Sequence, residues 1–502
     1  MRFTSLVVEL IRARPRLVFW TVVLCQAALW LIVPLLFFRS PPGDLATVLA
    51  FGREYQVGTD LGPPLAFWLA DIAFRLAGNH VFGVYVLSQL CFVLAFRALY
   101  GLGSRIAGPQ HAVLAVLLTM TVTAFGVPGL AFGPKVLALP LWSLALLHFW
   151  QIIGQGRRNA WFALSMEAGL LLLTTPAATG LLLLLLIFAV ATRRGRDTLL
   201  SLDPLFALSV VAALVLPYVI WLVRAHALVL PHWPAVDQLS ARLLHWGDAL
   251  GGLVLAMVGI GVLVVLDSRL VARNSDDAPV IFRPPVGPLA KRFVYFFALA
   301  PALLASLVST LLGFDDGAGG PAIALLLSGL AVIVVSGDLI ALRRQRILRV
   351  VWLVAVVAPA IGLVGLIVLQ PWFTDREVAT SAPASDIGRF FGESFERRTN
   401  RPLQAVAGDP QIAALVGLGA TRPRLLLDAT PQRTPWLPIA AFNAQGGIVV
   451  WRAADTAGKP PDDIAKRFPG LVPEIPRAFD RLVNGRQPTL RIGWAIVRPR
   501  TP

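Results

Sequence analysis

Long apolar runs separated by short polar breaks fill the first 372 residues. They lie at 17–38, 81–101, 109–127, 132–153, 160–175, 177–192, 202–224, 246–267, 292–314, 321–341 and 348–370. A helix needs about 20 apolar residues to cross a hydrocarbon core of ~30 Å. The pattern therefore predicts eleven transmembrane helices. The fifth and sixth runs are divided only by Thr174, Thr175 and Pro176, and can also be read as one kinked segment. The first run is too long for a signal-peptide core and no small-residue cleavage site follows it, so it reads as an uncleaved anchor.

From Phe373 to Pro502 the pattern changes to polar sequence punctuated by Pro, Gly and Asp. Short β-like runs appear at Leu403–Ala407, Arg424–Leu427, Gly447–Trp451 and Gly493–Val497. Helix-like stretches such as Pro410–Leu418 and Pro461–Arg467 lie between them. This alternation predicts a small α/β domain. The expected organisation is a transmembrane domain over 1–372, with an outer loop at 39–80, and an α/β domain over 373–502.

Arginine placement orients the helices. Arg12, Arg14 and Arg16 precede the first run. Arg105, Arg157 with Arg158, and Arg193, Arg194 and Arg196 occupy alternate loops. Arg269, Arg273, Arg283, Lys291 and Arg292 fill the next such loop, and Arg343, Arg344 and Arg346 the last. With eleven spans all these clusters share one side, which is cytoplasmic by the positive-inside rule. The N-terminus is then cytoplasmic and the C-terminal domain extracytoplasmic.

Composition agrees: 57% of the 502 residues are hydrophobic and 14% charged, against roughly 25% charged in soluble domains. A soluble enzyme, a disordered chain and a disulfide scaffold are excluded for most of the sequence. Cys25 and Cys91 both sit in apolar runs and read as packing residues. The formal charge of +16 comes from the loop clusters, with no basic stripe interleaved with aromatics, so no nucleic-acid partner is expected.

Candidate chemistry concentrates in the first outer loop, Arg39 to His80, which holds Asp44, Arg53, Glu54, Tyr55, Asp60 and Asp71. Two amphipathic stretches predict surface-lying helices within 45–56 and 64–77, joined by a turn near Gly58–Pro63. Leu45, Val48, Leu49 and Phe51 would supply part of the lipid-facing side. Asp44 at the head of such a helix reads either as an N-cap or as a general base.

Three segments carry a resemblance: PPGDLATVLAFGREYQVGTDLGPPLAFW at 41–68, GPKVLALPLWSLALLHFW at 133–150, and a C-terminal set with VAGDP at 406–410, GGIVVW at 446–451 and GWAIVRP at 493–499. The chain resembles GT-C membrane glycosyltransferases, and more closely bacterial members of glycosyltransferase family 39, relatives of protein mannosyltransferases and lipid A aminoarabinose transferases. The resemblance implies a polytopic α-helical membrane protein: a GT-C-like bundle of about 11 helices with a C-terminal periplasmic α/β domain, in the bacterial inner membrane. It also implies transfer of a sugar from a polyprenyl-phosphate carrier to a lipid or glycan hydroxyl at the outer face.

By that resemblance Asp44 is the catalytic base. Arg53, Glu54, Tyr55, Asp60, Lys135 and Arg224 are expected in substrate binding, and Arg53, Lys135, Arg224 and Arg242 are cations suited to a lipid phosphate or to interfacial anchoring. The only cofactor left open is a divalent metal, with no ligand set assigned. The sequence departs from its relatives at Gly62, where they have His or Lys, at FGPKV, where they have Asn-His, and at Thr174–Pro176, where they have Lys-Tyr. These departures keep open a catalytically degenerate relative that binds lipid-linked sugar or acts as a scaffold.

Other ionisable groups are set apart. Glu167 and Asp338 are the acids that a transporter reading would use. His226, His232 and His245, with Trp233 and Trp246, flank the fourth outer loop at spacings that match no metal motif. His111 and His148 read as helix-end or packing residues.

Overall fold

The structure, a computed structural model, describes residues 3–227, 236–268, 280–311, 319–341, 344–419, 421–427, 432–453, 455–483 and 485–499. Asp315, Asp316, His232, Trp233, Arg269, Arg273 and Arg343 lie outside the described residues.

The chain opens with α1 (Phe3–Ala13), α2 (Pro15–Phe37), α3 (Leu45–Gly52), α4 (Leu65–Leu76), α5 (Phe82–Ala107), α6 (Pro109–Thr119), α7 (Pro134–Ile153), α8 (Ala160–Leu172) and α9 (Ala178–Ala191). It continues through α10 (Arg193–Leu199), α11 (Asp203–Arg224), α12 (Val236–Ala256), α13 (Val258–Asp267), β1 (Val280–Phe282), α14 (Pro288–Ala300), α15 (Ser306–Leu311), α16 (Pro321–Ala324), α17 (Ser328–Val335), β2 (Leu339–Ala341) and α18 (Gln345–Phe373). The remainder is α19 (Ala384–Thr399), β3 (Ala405–Gly408), α20 (Pro410–Val416), β4 (Arg424–Leu425), α21 (Ile439–Gln445), β5 (Gly447–Arg452), α22 (Asp462–Arg467), β6 (Pro473–Phe479) and β7 (Leu490–Val497).

Among the described residues, six helices are long and apolar enough to cross a membrane, or up to nine if each bent pair is one span. The bends are 87° after α6, 108° between α9 and α10, and 48° between α12 and α13; the first and last fall inside the predicted runs 109–127 and 246–267, and the second at the end of the run 177–192. Each of the eleven predicted runs has a helical counterpart, but eleven full crossings is more than these lengths establish. α8 and α9 are separate helices, and the Thr174–Thr175 break between them is buried.

The run predicted as one helix over 321–341 is corrected. α17 stops at Val335, Gly337 takes φ +91, and residues 339–341 form β2, antiparallel to β1. Positive φ suits glycine because it lacks a Cβ. Arg283, 1% exposed, closes this corner. Its Nε donates to Asp338 Oδ1 at 3.2 Å and its Nη2 to the Val334 carbonyl at 3.2 Å, so a cation satisfies the C-terminal end of α17. The run at 292–314 is interrupted by a π-turn at Pro301–Ala305, where Pro301 cannot donate.

Contacts divide the chain into two compact units: residues 1–31, 86–220 and 228–361, and residues 32–85, 221–227 and 362–502. This differs from the division at residue 372, because the first outer loop groups with the C-terminal domain. Within the first unit, Phe149 of α7, Phe188 of α9, and Phe293 and Phe297 of α14 pack edge-to-face and tilted at centroid distances of 4.8–6.2 Å. α7 and α8 also bring His148 Nδ1 within 2.6 Å of Glu167 Oε1, so both residues have a partner the sequence reading did not see. α1, which hydrophobic periodicity had not identified, buries Val8 and Ile11. The Arg12 side chain donates to the Val280 carbonyl, and its own carbonyl accepts from Gln110 Nε2 at 3.0 Å.

In the second unit a five-stranded sheet runs in the order β4-β3-β5-β7-β6, parallel through β4, β3 and β5 and antiparallel through β5, β7 and β6. The period of two along a strand sorts its two faces. In β5, Ile448 and Val450 enter the core under α19 and α20, while Val449 and Trp451 enter the one under α21 and α22. The α/β reading holds. β6 was missed because Pro473 and Pro476 interrupt its pattern, and it lies at the sheet edge, where proline is tolerated. The VAGDP segment is a strand-to-helix corner. Gly408 has φ +108 with a Cβ position 1.9 Å from the Val450 carbonyl oxygen. Asp409 caps α20 by accepting from Gln411 N at 2.9 Å and Ile412 N at 3.0 Å.

Candidate active site

The first outer loop folds as predicted into two helices, α3 and α4, with a tight turn in which Thr59 and Gly62 exchange backbone bonds at 3.2 and 3.0 Å. Their surroundings are not those of a surface-lying segment. Leu45, Val48, Leu49 and Phe51, expected to face lipid, are all 5% exposed or less. Ala46 and Ala50 pack into the core beneath α19 and α20, and Phe51 meets Trp436 edge-on at 5.6 Å. The loop's apolar face is buried against its own unit. Arg39 N donates to the Thr380 carbonyl at 2.9 Å and Ser40 Oγ to the Ala379 carbonyl at 2.7 Å, tying the loop's start to the same unit.

Three loop acids each meet an arginine of the 422–433 segment. Asp71 Oδ1 is 2.5 Å from Arg422 Nη2, Glu54 Oε1 is 3.4 Å from Arg424 Nε, and Asp60 Oδ1 is 2.6 Å from Arg433 Nε. Asp71 is fully buried, and its second oxygen takes Arg75 Nε at 2.6 Å and the Tyr55 hydroxyl at 2.9 Å. Arg422 also stacks over Phe74, 4.7 Å from the ring centre. The sequence reading missed these arginines. Their charge complements the loop acids, but partners some 350 residues apart leave no local pattern to find.

Glu54, Tyr55 and Asp60, expected in substrate binding, each have a partner within the protein: an ion pair for Glu54 and Asp60 and a hydrogen bond for Tyr55. Burial raises the Glu54 pKa above its ordinary 4.5, with Arg424, Arg53 and Arg422 opposing. For Tyr55 the rise comes first from burial and then from the bond it donates to Asp71. Arg53 is half-buried, and its Nη1 has no hydrogen-bond partner. Burial lowers the Arg53 pKa, Glu54 opposes this, and Arg422, Arg424 and Arg75 add to it.

Asp44 stands apart from this cluster. It precedes α3 with φ −89 and ψ 14, its side chain makes no capping bond, and it is exposed. Its backbone carbonyl accepts from Val48 N at 2.9 Å, which begins the helix. Nine residues at 1.5 Å rise put it about 13 Å from Arg53 along α3. The structure therefore splits loop one into a bonded charge network and a carboxylate free of hydrogen-bond and ion-pair partners among the described residues.

Arg224, at the end of α11, is exposed in the same unit. Lys135, exposed at the start of α7, belongs to the other unit. The Arg242 side chain donates to the Leu311 carbonyl, and the Trp246 indole donates to Ser306 Oγ at 3.0 Å, so both serve helix packing. Among the described residues no group of three or more His, Cys, Asp or Glu could hold a metal ion.

Residues 62–221 match the family model described as dolichyl-phosphate-mannose-protein mannosyltransferase. The fold is similar to that of ArnT from Cupriavidus metallidurans, solved bound to undecaprenyl phosphate, at TM-score 0.50 and 14% identity, over 97% of this chain and 99% of that one. It is also similar to the arabinofuranosyltransferase AftD from Mycobacteria, at TM-score 0.50 and 13% identity, over 95% of this chain and 40% of that one. No curated protein matches the sequence. The resemblance read from the sequence is met on two counts, a family-model match and a fold shared over nearly the whole length. The chain is a multi-pass membrane protein with the GT-C glycosyltransferase fold and a strand-containing C-terminal region.

Proposed function

We propose that this chain is a membrane glycosyltransferase that moves a sugar from a polyprenyl-phosphate carrier to a lipid or glycan hydroxyl at the outer face of the bacterial inner membrane. The observation that carries the reading is the carboxylate of Asp44, which is exposed and uncommitted while Glu54, Asp60 and Asp71 are all engaged by arginine. The GT-C fold and the mannosyltransferase match supply its context.

In this reading Asp44 takes the proton of the acceptor hydroxyl as that oxygen bonds to the anomeric carbon. The bond from the anomeric carbon to the phosphate oxygen breaks, and the carrier leaves as the polyprenyl phosphate with inversion at the sugar. Arg224, in the same unit as Asp44, serves as a cation for the carrier phosphate. Arg53, about 13 Å along α3 from Asp44, serves a more distant part of the substrate. The N-terminus is cytoplasmic and the C-terminal domain periplasmic.

One observation favours a second reading, a sugar-lipid binder without turnover. Gly62 adopts φ +121, so the His or Lys that relatives carry there would be strained on this backbone. The decisive experiment presents the purified chain in nanodiscs with a radiolabelled polyprenyl-phosphate sugar and bacterial lipid acceptors. Labelled product that disappears in Asp44→Asn supports transfer; binding without product in the native chain supports the second reading.

A further inference from the structure

The first unit contains a groove of about 680 Å³ that the sugar-transfer reading does not use. That volume lies within the roughly 300–1,000 Å³ typical of ligand cavities. Its walls are apolar: Val8 and Ile11 of α1, Leu118 of α6, Leu263 of α13, Ile333 of α17 and Trp352 of α18. Its polar members are Asp267 at the end of α13 and Ser268 after it, Ser336 after α17, and Gln345 and Arg349 in the first turns of α18.

Both ends of this arrangement are held in place. α1 is pinned by the Arg12 bond to β1 and by the Gln110 bond from the start of α6. The Trp352 indole donates to the Leu117 carbonyl at 2.7 Å, fixing α18 against α6. The groove is thus framed by bonded elements.

An apolar wall of this extent gains dispersion contacts from an apolar occupant. For a multi-pass membrane protein the surrounding solvent is lipid. The molecule abundant enough to fill the groove is a bilayer lipid, and an apolar tail fits the wall. Arg349 and its neighbour Arg346, both exposed at the start of α18, complement a phosphate.

We infer that this groove is a binding site for one glycerophospholipid, with an acyl chain along α1, α6, α13 and α18 and the phosphodiester at Arg349. The site is independent of the sugar-transfer reading.

The test uses the full-length protein, extensively exchanged into detergent, with retained lipid counted by mass spectrometry and competition between phosphatidylglycerol and diacylglycerol, which lacks the phosphodiester. The expected result is about one phosphatidylglycerol per chain, preferred about tenfold, as one charge-assisted contact provides. Arg349→Gln should abolish the preference, together with the rise in melting temperature on adding phosphatidylglycerol. Leu118→Trp, which fills the groove, should reduce retained phospholipid to background in a monodisperse sample. If Leu118→Trp does not fold, the Arg349→Gln competition decides alone. Retention of a polyprenyl phosphate in place of phospholipid, or an Arg349→Gln preference equal to that of the native chain, overturns the site.

Discussion

Arg422 reaches Asp71 at 2.5 Å, joining the approach to β4 of the C-terminal domain to α4 of the 39–80 loop across 351 residues of sequence. Asp71 has no exposure to solvent, and removing one partner of a buried pair leaves an uncompensated charge costing about 3–5 kcal/mol. Arg422→Ala should lower unfolding stability by that order. The double variant Arg422→Met with Asp71→Leu should recover much of the loss, because replacing a buried pair by apolar groups is often neutral. Thermal unfolding of both in the same detergent checks this; an Arg422→Ala protein as stable as the native chain would show that Arg75 and Tyr55 suffice.

Glu54 gives a pH prediction. Burial raises its pKa above 4.5, so the folded chain holds its proton more tightly than the unfolded chain. Between 4.5 and the raised value the folded state binds more protons, and stability falls as pH rises through that window. Melting temperatures of the native chain and Glu54→Gln, compared from about pH 4 to about pH 7, should show the native chain losing stability relative to the variant as pH rises. A parallel pair of curves would mean that the arginines cancel the burial cost.

Asp44→Asn should reduce sugar transfer by about 10²–10⁴-fold, the range expected for a positioned base. Because its carboxylate makes no cap bond, melting temperature should stay within about 1 °C of native, equivalent to a few tenths of a kcal/mol. Asp462→Asn, in α22, is the control with native turnover. Transfer that survives in Asp44→Asn would place the base elsewhere.

The corner between β3 and α20 should be intolerant. Gly408→Ala forces a Cβ into the Val450 carbonyl at a left-handed φ and should cost at least about 1–3 kcal/mol. Asp409→Ala removes a two-bond cap and should cost about 1 kcal/mol, with Asp409→Asn largely preserving stability. Denaturant melts that rank Asp409→Ala above Gly408→Ala in damage would contradict the geometry.

Orientation is tested by a reporter active only outside the cytoplasm, fused after Thr374. With an odd number of crossings it should be active, and a companion fusion after Arg158 inactive. The reverse pattern would overturn the arginine-based topology.

The sequence by itself determined where the apolar helices lie, because spanning a bilayer demands a length of apolar residues that few other structures need. It also determined that a sheet follows them and that the chain resembles GT-C glycosyltransferases, since period-two alternation and short motifs are local. It located α3 and α4 for the same reason. Their environment was decided only by the tertiary structure. An amphipathic helix shows a buried side but not what buries it, so Leu45 and Phe51 read as facing lipid when they pack within a folded unit. The partners of the loop acids were decided in the same way. Glu54, Asp60 and Asp71 are alike in sequence, and only the arrival of Arg424, Arg433 and Arg422 from the far end of the chain separates them from Asp44. Charge pairing depends on distances of a few ångströms, which only the folded chain sets.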